Sequence, residues 1–289
     1  MATTIDEGFR VFLTRLTPTG TESEAAKRHR TSISECLVSS FGMRRFFRTG
    51  SFGNGTSISG HSDVDYFAEL PTAQLTETST ASLQKVKTAL DIRFPDTGVA
   101  VRTPAVVVPF GAGDSETTEV VPADSIKEEK GHVIYDMPDF AGGWMRASPD
   151  AQLAYVAYWD DKLQGKVRPL VRFLKAWKYF RAAPISSFYL EMRAAKYASG
   201  EKSIDYAIDI RRLLRQLWDC QLAAAQDPTV VGGYIQACDT DAKKADALSR
   251  LETALARADK ARTAETGGSI EDAFYWWRLL YNDEFPAYG

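Results

Sequence analysis

Gly50-Ser51-Phe52-Gly53-Asn54-Gly55-Thr56, followed by Ser62-Asp63-Val64-Asp65-Tyr66-Phe67, is the stretch on which the reading turns. A Gly/Ser/Thr loop runs into two carboxylates one residue apart, in an otherwise apolar segment. In a strand, residues i and i+2 point to the same side, so Asp63 and Asp65 are expected to present both carboxylates to one region of space. Like charges held that close are costly unless a cation lies between them. The pattern points to a divalent metal site that handles a nucleoside triphosphate. Gly50 and Ser51 then open a loop whose backbone N–H groups, with the Ser51 hydroxyl, face phosphate oxygens. The loop is no Walker A motif, because Gly-Lys-Ser/Thr is absent, and no βαβ segment surrounds it as a dinucleotide fingerprint requires.

Two-metal phosphoryl transfer generally asks for a third ligand. Glu119 is the preferred one: a lone acid in the predicted strand Thr117-Thr118-Glu119-Val120-Val121, which Pro122 is expected to end. Asp114, in the turn Gly111-Ala112-Gly113-Asp114-Ser115, is the competitor. Three carboxylates without histidine suit Mg²⁺ or Mn²⁺, two ions per site.

Around these residues the periodicity predicts helices over 5–16 and 21–40, the second opened by a Thr21/Glu24 capping box. Strands are expected over 43–49 and 63–69, a helix over 78–91, and one or two strands around Pro104. Residues 131–149 carry little regular pattern and read as a connection. Helices then follow at 150–164, 167–181, 187–199, 204–224, 240–262 and 269–281. The expectation is an α+β chain in which a sheet-bearing lobe, 1–148, precedes an all-helical lobe, 149–289.

Lys166 to Arg181 carries six positive and no negative side chains. At helical spacing Arg168, Arg172, Lys175 and Lys178 form a basic stripe, with Leu170, Phe173, Leu174 and Trp177 facing inward. Lys175 is the candidate contact to a triphosphate. Ser186 or Ser187 caps the following helix or binds phosphate at its start. Phe188 is the candidate for stacking on a base, Tyr66 and Tyr189 weaker ones, and Trp144 is a candidate core anchor.

Of 289 residues, 44% are hydrophobic and the formal net charge is −3, so no coat of basic residues calls for a long nucleic-acid partner. Cys36, Cys220 and Cys238 are too scattered for a disulfide framework or a thiolate zinc site. The N-terminal residues lack a signal peptide and no segment has the length of a membrane span, so a cytoplasmic protein is expected.

Gly50-Ser51, Gly55-Thr56, Ser62-Asp63-Val64-Asp65 and Glu119-Val120-Val121-Pro122-Ala123 resemble the polymerase-beta-like nucleotidyltransferase superfamily. Gly143-Trp144, Leu174-Lys175-Ala176-Trp177-Lys178 and Ser186-Ser187-Phe188-Tyr189-Leu190-Glu191 resemble its branch with cyclic GMP-AMP synthase and oligoadenylate synthase, and more narrowly the bacterial cGAS/DncV-like nucleotidyltransferases (CD-NTases). The resemblance covers roughly 45–195. It implies a polymerase-beta-like catalytic lobe with a mixed sheet, then an oligoadenylate-synthase-like helical lobe. It also implies Asp63, Asp65 and Glu119 as metal-binding acids, Gly50 and Ser51 at the donor triphosphate, Lys175 and Ser187 as phosphate contacts, and Phe188 at the base. Where relatives often carry aspartate, Glu119 adds a methylene.

The implied activity is synthesis of a cyclic di- or trinucleotide from ribonucleoside triphosphates, ATP among them, in anti-phage signalling through a separate effector. Phe285-Pro286-Ala287-Tyr288-Gly289 resembles the free tails that some relatives offer to a conjugation partner. No zinc-binding insertion of the animal type is present, which speaks against activation by DNA. The rival readings are a nucleotidyltransferase acting on an RNA end, one acting on an aminoglycoside, and a nucleotide-sensing module without catalysis.

Overall fold

The computed structural model describes residues 2–18, 20–61, 63–111 and 116–289. Ser62, Asp114 and the Thr21 side chain of the expected capping box lie outside the described residues. The chain forms two compact units. One holds Pro18–Ala154 with Thr229–Gly233, and the other Met1–Thr17, Tyr155–Pro228 and Tyr234–Gly289.

The first unit is built on helix α2 (Gly20–Phe41), strand β1 (Arg45–Arg48), the short helix α3 (Gly50–Asn54), β2 (Val64–Glu69), α4 (Ser79–Arg93), β3 (Ala100–Arg102), β4 (Ala105–Phe110), β5 (Glu116–Glu129), β6 (His132–Pro138) and β7 (Trp144–Ala147). The strand order is β1-β2-β5-β4-β3, with β6 on the far half of β5 and β7 on β6. Strands β2 and β5 are parallel; the other pairs are antiparallel. Alternation along the strands sorts the side chains to two faces. Val64, Tyr66, Val106, Val108 and Val120 lie on the face covered by Ile33, Leu37, Leu83, Val86 and Leu90 of α2 and α4. Phe67, Ala105, Val121, Ala123 and Tyr135 form a smaller cluster on the other. By the same parity Asp65 and Glu119 belong to that second face.

Three expectations are corrected here. Residues 50–54 are a single helical turn, not an open loop. Strand β5 runs through Pro122 rather than ending there: Leu70 N–H donates to Ala123 O at 2.9 Å, so Ala123 faces β2 and Pro122 faces away. On that side the β4 pairing has already stopped at Val120, and the missing N–H costs no ladder bond. The segment 131–149, read as irregular, contains β6 and β7, linked by a turn in which Asp139 Oδ1 accepts from Ala141 and Gly143 N–H. Trp144 is half-buried on β7, its indole N–H donating to Glu77 O at 3.1 Å.

The second unit gathers α1 (Ile5–Leu16), α6 (Val167–Phe180), α7 (Ser187–Ala198), α8 (Tyr206–Asp219), a small hairpin of β8 (Ala225–Gln226) and β9 (Tyr234–Ile235), α9 (Asp241–Thr266) and α10 (Ile270–Leu280). Helix α5 (Pro149–Lys162) contains the division at 154/155. The expected boundary at 148/149 would leave α1 in the sheet-bearing half, whereas it packs in the helical unit. The physical reason is aromatic: the Phe9 ring lies 5.0 Å from Phe173 and Phe285 and 5.1 Å from Trp277, and Phe12 lies 4.7 Å from Tyr281. Thr4 and Glu7 close a capping box at the start of α1.

The C-terminal residues also differ from the expected free tail. Phe285 is buried among Phe9, Phe12 and Phe274, and Ala2 bridges Tyr288. Within Phe285–Gly289, Ala287, Tyr288 and Gly289 stay exposed. No helix among the described residues is long and apolar enough to cross a membrane.

Candidate active site

Asp65 and Glu119 occupy register-paired positions on the parallel strands β2 and β5. Asp63 immediately precedes β2, two residues before Asp65 and so on the same side. The three acids therefore come from two adjacent strands at one end of the parallel pair. Asp63 is exposed, whereas Asp65 and Glu119 are half-buried. Burial first, then the charge of Asp63, push the Glu119 carboxyl above the usual carboxylate range, and Arg102 opposes them. The Arg102 guanidinium lies 3.9 Å from Glu119 Oε1.

Helix α3 comes against these acids for a reason visible at Gly50. Its φ is +53°, and a Cβ there would stand 1.9 Å from Asp65 Oδ2 and 2.6 Å from Asp65 Cγ. Only glycine admits both this backbone and the carboxylate beside it. Thr49 N–H donates to Asp65 O at 2.9 Å, tying the start of the turn to β2. Ser51 follows directly and is half-buried. The first-turn N–H groups of α3 have no place in its own ladder, so the expected source of backbone donors persists in a helical form.

A hard divalent cation fits this donor set. All three ligands are carboxylates, two sit in register, and the missing Cβ at Gly50 lets the Asp65 carboxylate stand against the turn. As placed, no three His, Cys, Asp or Glu side chains among the described residues converge tightly enough to enclose an ion. The fit is one of placement and charge, and side-chain rotation is what would bring the oxygens together.

In the helical unit the expected residues part company. Lys175 is 1% exposed and its ammonium lies 3.6 Å from the carboxylate of Glu191, also buried. The inward side of α6 carries Leu174 and Trp177, and Lys175 is buried with them, its charge balanced by Glu191. Lys178, one turn later, donates to Ser187 Oγ at 2.7 Å, and Tyr179 Oη lies 3.1 Å from the same oxygen. Sequence reasoning counted Lys178 in the stripe without choosing it; the i+3 spacing from Lys175 was the available signal. Arg168 is engaged by Asp160, whose other oxygen accepts from the Val167 and Arg168 N–H groups at 3.0 Å. Burial and the neighbouring Arg168 charge push the Arg172 guanidinium below its ordinary range.

Ser186 is the cap of α7, accepting from Tyr189 N–H at 3.3 Å, which leaves Ser187 as the first helical residue. Phe188 is exposed beside it. Tyr66 and Tyr189, the weaker stacking candidates, are fully buried; Tyr66 stacks on Phe46 and Tyr189 donates to Ala223 O.

Comparison with known proteins bears on this geometry. The Second Messenger Oligonucleotide or Dinucleotide Synthetase domain matches residues 3–157, more than half of the chain and all of the acid-bearing strands. The chain belongs to this family, the CD-NTases. A probable cyclic nucleotide synthase of Bacillus cereus (strain VD146) is 23% identical over 235 residues, covering 78% of this chain and 69% of that protein. CdnC of E. coli MS115-1 has been solved with ATP and as a CdnC:HORMA-deltaN complex; this chain matches the ATP form with a TM-score of 0.76 at 16% identity, over 97% of this chain and 98% of that one. The CD-NTase CdnG of Bradyrhizobium diazoefficiens, solved with GTP, gives 0.75 at 14% identity, over 96% and 94%. At these identities the structural likeness speaks to fold. This CD-NTase thus has the two-lobe α+β fold of its family, and its family activity is nucleotidyl transfer in cyclic nucleotide synthesis.

Proposed function

We propose that this CD-NTase joins ribonucleoside triphosphates, ATP among them, into a cyclic di- or trinucleotide with release of pyrophosphate. The observation that carries the reading is the register pair Asp65/Glu119 with Asp63 two residues before, beside the Gly50–Ser51 turn. Asp63, Asp65 and Glu119 would hold Mg²⁺ or Mn²⁺, two ions in the expected scheme, supplying charge neutralisation and a lowered pKa for an attacking ribose hydroxyl. In each transfer that hydroxyl oxygen bonds to the α-phosphorus, the bond to the β-phosphate's bridging oxygen breaks, and pyrophosphate leaves with the electron pair. The hydroxyl proton passes to a Glu119 carboxylate oxygen or to water. Ser51 and the first-turn N–H groups of α3 hold the departing phosphates. In the helical unit Lys175 and Ser187 are the proposed phosphate contacts, with Lys178 held to Ser187 Oγ at 2.7 Å, and Phe188 is the proposed stacking residue. A further transfer within the linear product closes the ring.

The proposed setting is anti-phage signalling in the cytoplasm, where the product acts on a separate effector. The CdnC:HORMA-deltaN complex supports a protein partner for a protein of this fold. Release of pyrophosphate from the four ribonucleoside triphosphates tests the chemistry, assayed with Mg²⁺, with Mn²⁺ and with chelator. Release that needs an ion and falls at least a hundredfold in each of Asp63→Ala, Asp65→Ala and Glu119→Ala supports it. Ion-independent release, or release indifferent to these changes, rejects it.

A further inference from the structure

Arg102 ends β3, the strand at the edge of the sheet beyond β4. The registers fix its face: Ala100 opposes Val107, Val107 opposes Glu119, and Glu119 opposes Asp65, so four side chains form one row across the sheet. Arg102 lies two residues from Ala100 and shares that face. From there its guanidinium reaches diagonally back to within 3.9 Å of Glu119 Oε1, while its side chain is 71% exposed. Ala100, at the end of the row, has no side chain beyond Cβ to obstruct that reach. At the other end of the row stands the Gly50–Ser51 turn against Asp65.

The acids are thus flanked on two sides by groups suited to anions, Ser51 beside β2 and Arg102 beyond β4. A solvent-screened ion pair of this length contributes little to stability, so fold maintenance does not account for Arg102. Its planar fork of donors is matched to phosphate. A reaction that joins two nucleoside triphosphates must seat two polyanions and react only one of them. The second presents its ribose hydroxyl, and its own 5′-triphosphate has to be held clear of the carboxylates.

We infer that Arg102 binds the 5′-triphosphate of the acceptor nucleotide, exchanging its loose contact with Glu119 for the phosphate. The inference rests on the synthase reading above and assigns to one residue the choice of a triphosphorylated acceptor.

The test is binding, independent of turnover. With the donor position first filled by α,β-methylene ATP, which cannot transfer its nucleotidyl group, calorimetry compares ATP and GTP as second ligand with adenosine and guanosine, which end in a 5′-hydroxyl, on wild type, Arg102→Ala and Arg102→Lys. Arg102 is exposed, so both variants are expected to fold. Arg102→Ala should weaken the triphosphorylated ligands about tenfold and leave the 5′-hydroxyl ligands within about twofold. Arg102→Lys should recover part of the loss, because a point charge replaces the fork. In synthesis assays the defect should appear in KM and spare kcat. Equal loss for both ligand types, or loss for neither, overturns the assignment. Wild-type protein that binds neither type overturns the synthase reading and the assignment with it.

Discussion

Replacing Gly50 with alanine should separate the fold from the chemistry. The backbone there has φ +53°, where a residue with a Cβ pays about 1–2 kcal/mol. The new methyl would also stand 1.9 Å from Asp65 Oδ2. Reaching the 3.4 Å of an ordinary contact requires a shift of 3.4 − 1.9 = 1.5 Å. Rotation about χ1 of Asp65 can move its carboxylate but not its Cβ, which would stand 3.0 Å from the new methyl and must give by a few tenths of an ångström, so the stability loss is at least the backbone cost, roughly 3–6 °C in Tm. The carboxylate, however, leaves its place beside Glu119, and a misplacement of this size costs about a hundredfold or more in rate. Gly42→Ala is the control: φ is +65° with nothing within 4 Å of a built Cβ, so it carries the strain without the collision. Differential scanning fluorimetry and product formation would be read on both variants. The account expects a Tm loss at least as large in Gly50→Ala as in Gly42→Ala, and a rate loss confined to Gly50→Ala. A Gly50→Ala protein keeping more than about a tenth of wild-type rate would refute the reasoning, as would equal rate losses in the two.

Other consequences follow from the same geometry. Glu191→Ala removes the carboxylate beside the buried Lys175 and should cost about 3–5 kcal/mol in denaturant melts, whereas Lys175→Met with Glu191→Leu should recover most of it. The raised Glu119 carboxyl keeps its proton to higher pH in the fold than in the unfolded chain, so its ionisation lowers stability as pH rises through that window. In EDTA, Glu119→Gln should therefore melt higher than wild type at pH 7.5, with the gap closing near pH 4; a gap independent of pH would contradict this. Phe285→Ala opens a hole in the aromatic cluster around Phe9 and Phe12, for an expected loss of about 3–5 kcal/mol by the same melts.

The legible parts of this chain were those with strong local periodicity. Helices α1, α2 and α4 and strands β1, β2 and β4 fall where apolar spacing put them, because each lays one stripe or face on a core. Asp63, Asp65 and Glu119 were singled out because isolated acids in apolar strands stand out. What escaped was set by pairing at a distance. Strands β6 and β7 depend on the far half of β5, and no local pattern announces that partner. Pro122 looks like a strand end until Ala123 is seen to face β2. The burial of Lys175 against Glu191 arises from two helices joined across a turn, and a basic stripe read on one helix cannot reveal it. The C-terminal residues resemble a free tail in sequence because their anchor, Phe285, finds partners in α1, at the other end of the chain.

The central claim is that these carboxylates make a cyclic nucleotide. The direct measurement is incubation of purified protein with all four ribonucleoside triphosphates and Mg²⁺ or Mn²⁺, phosphatase treatment, and mass spectrometry of what remains, with Asp63→Ala/Asp65→Ala alongside. The account predicts phosphatase-resistant cyclic products from wild type and none from the double variant. Only linear products, or cyclic products undiminished in the double variant, would contradict it.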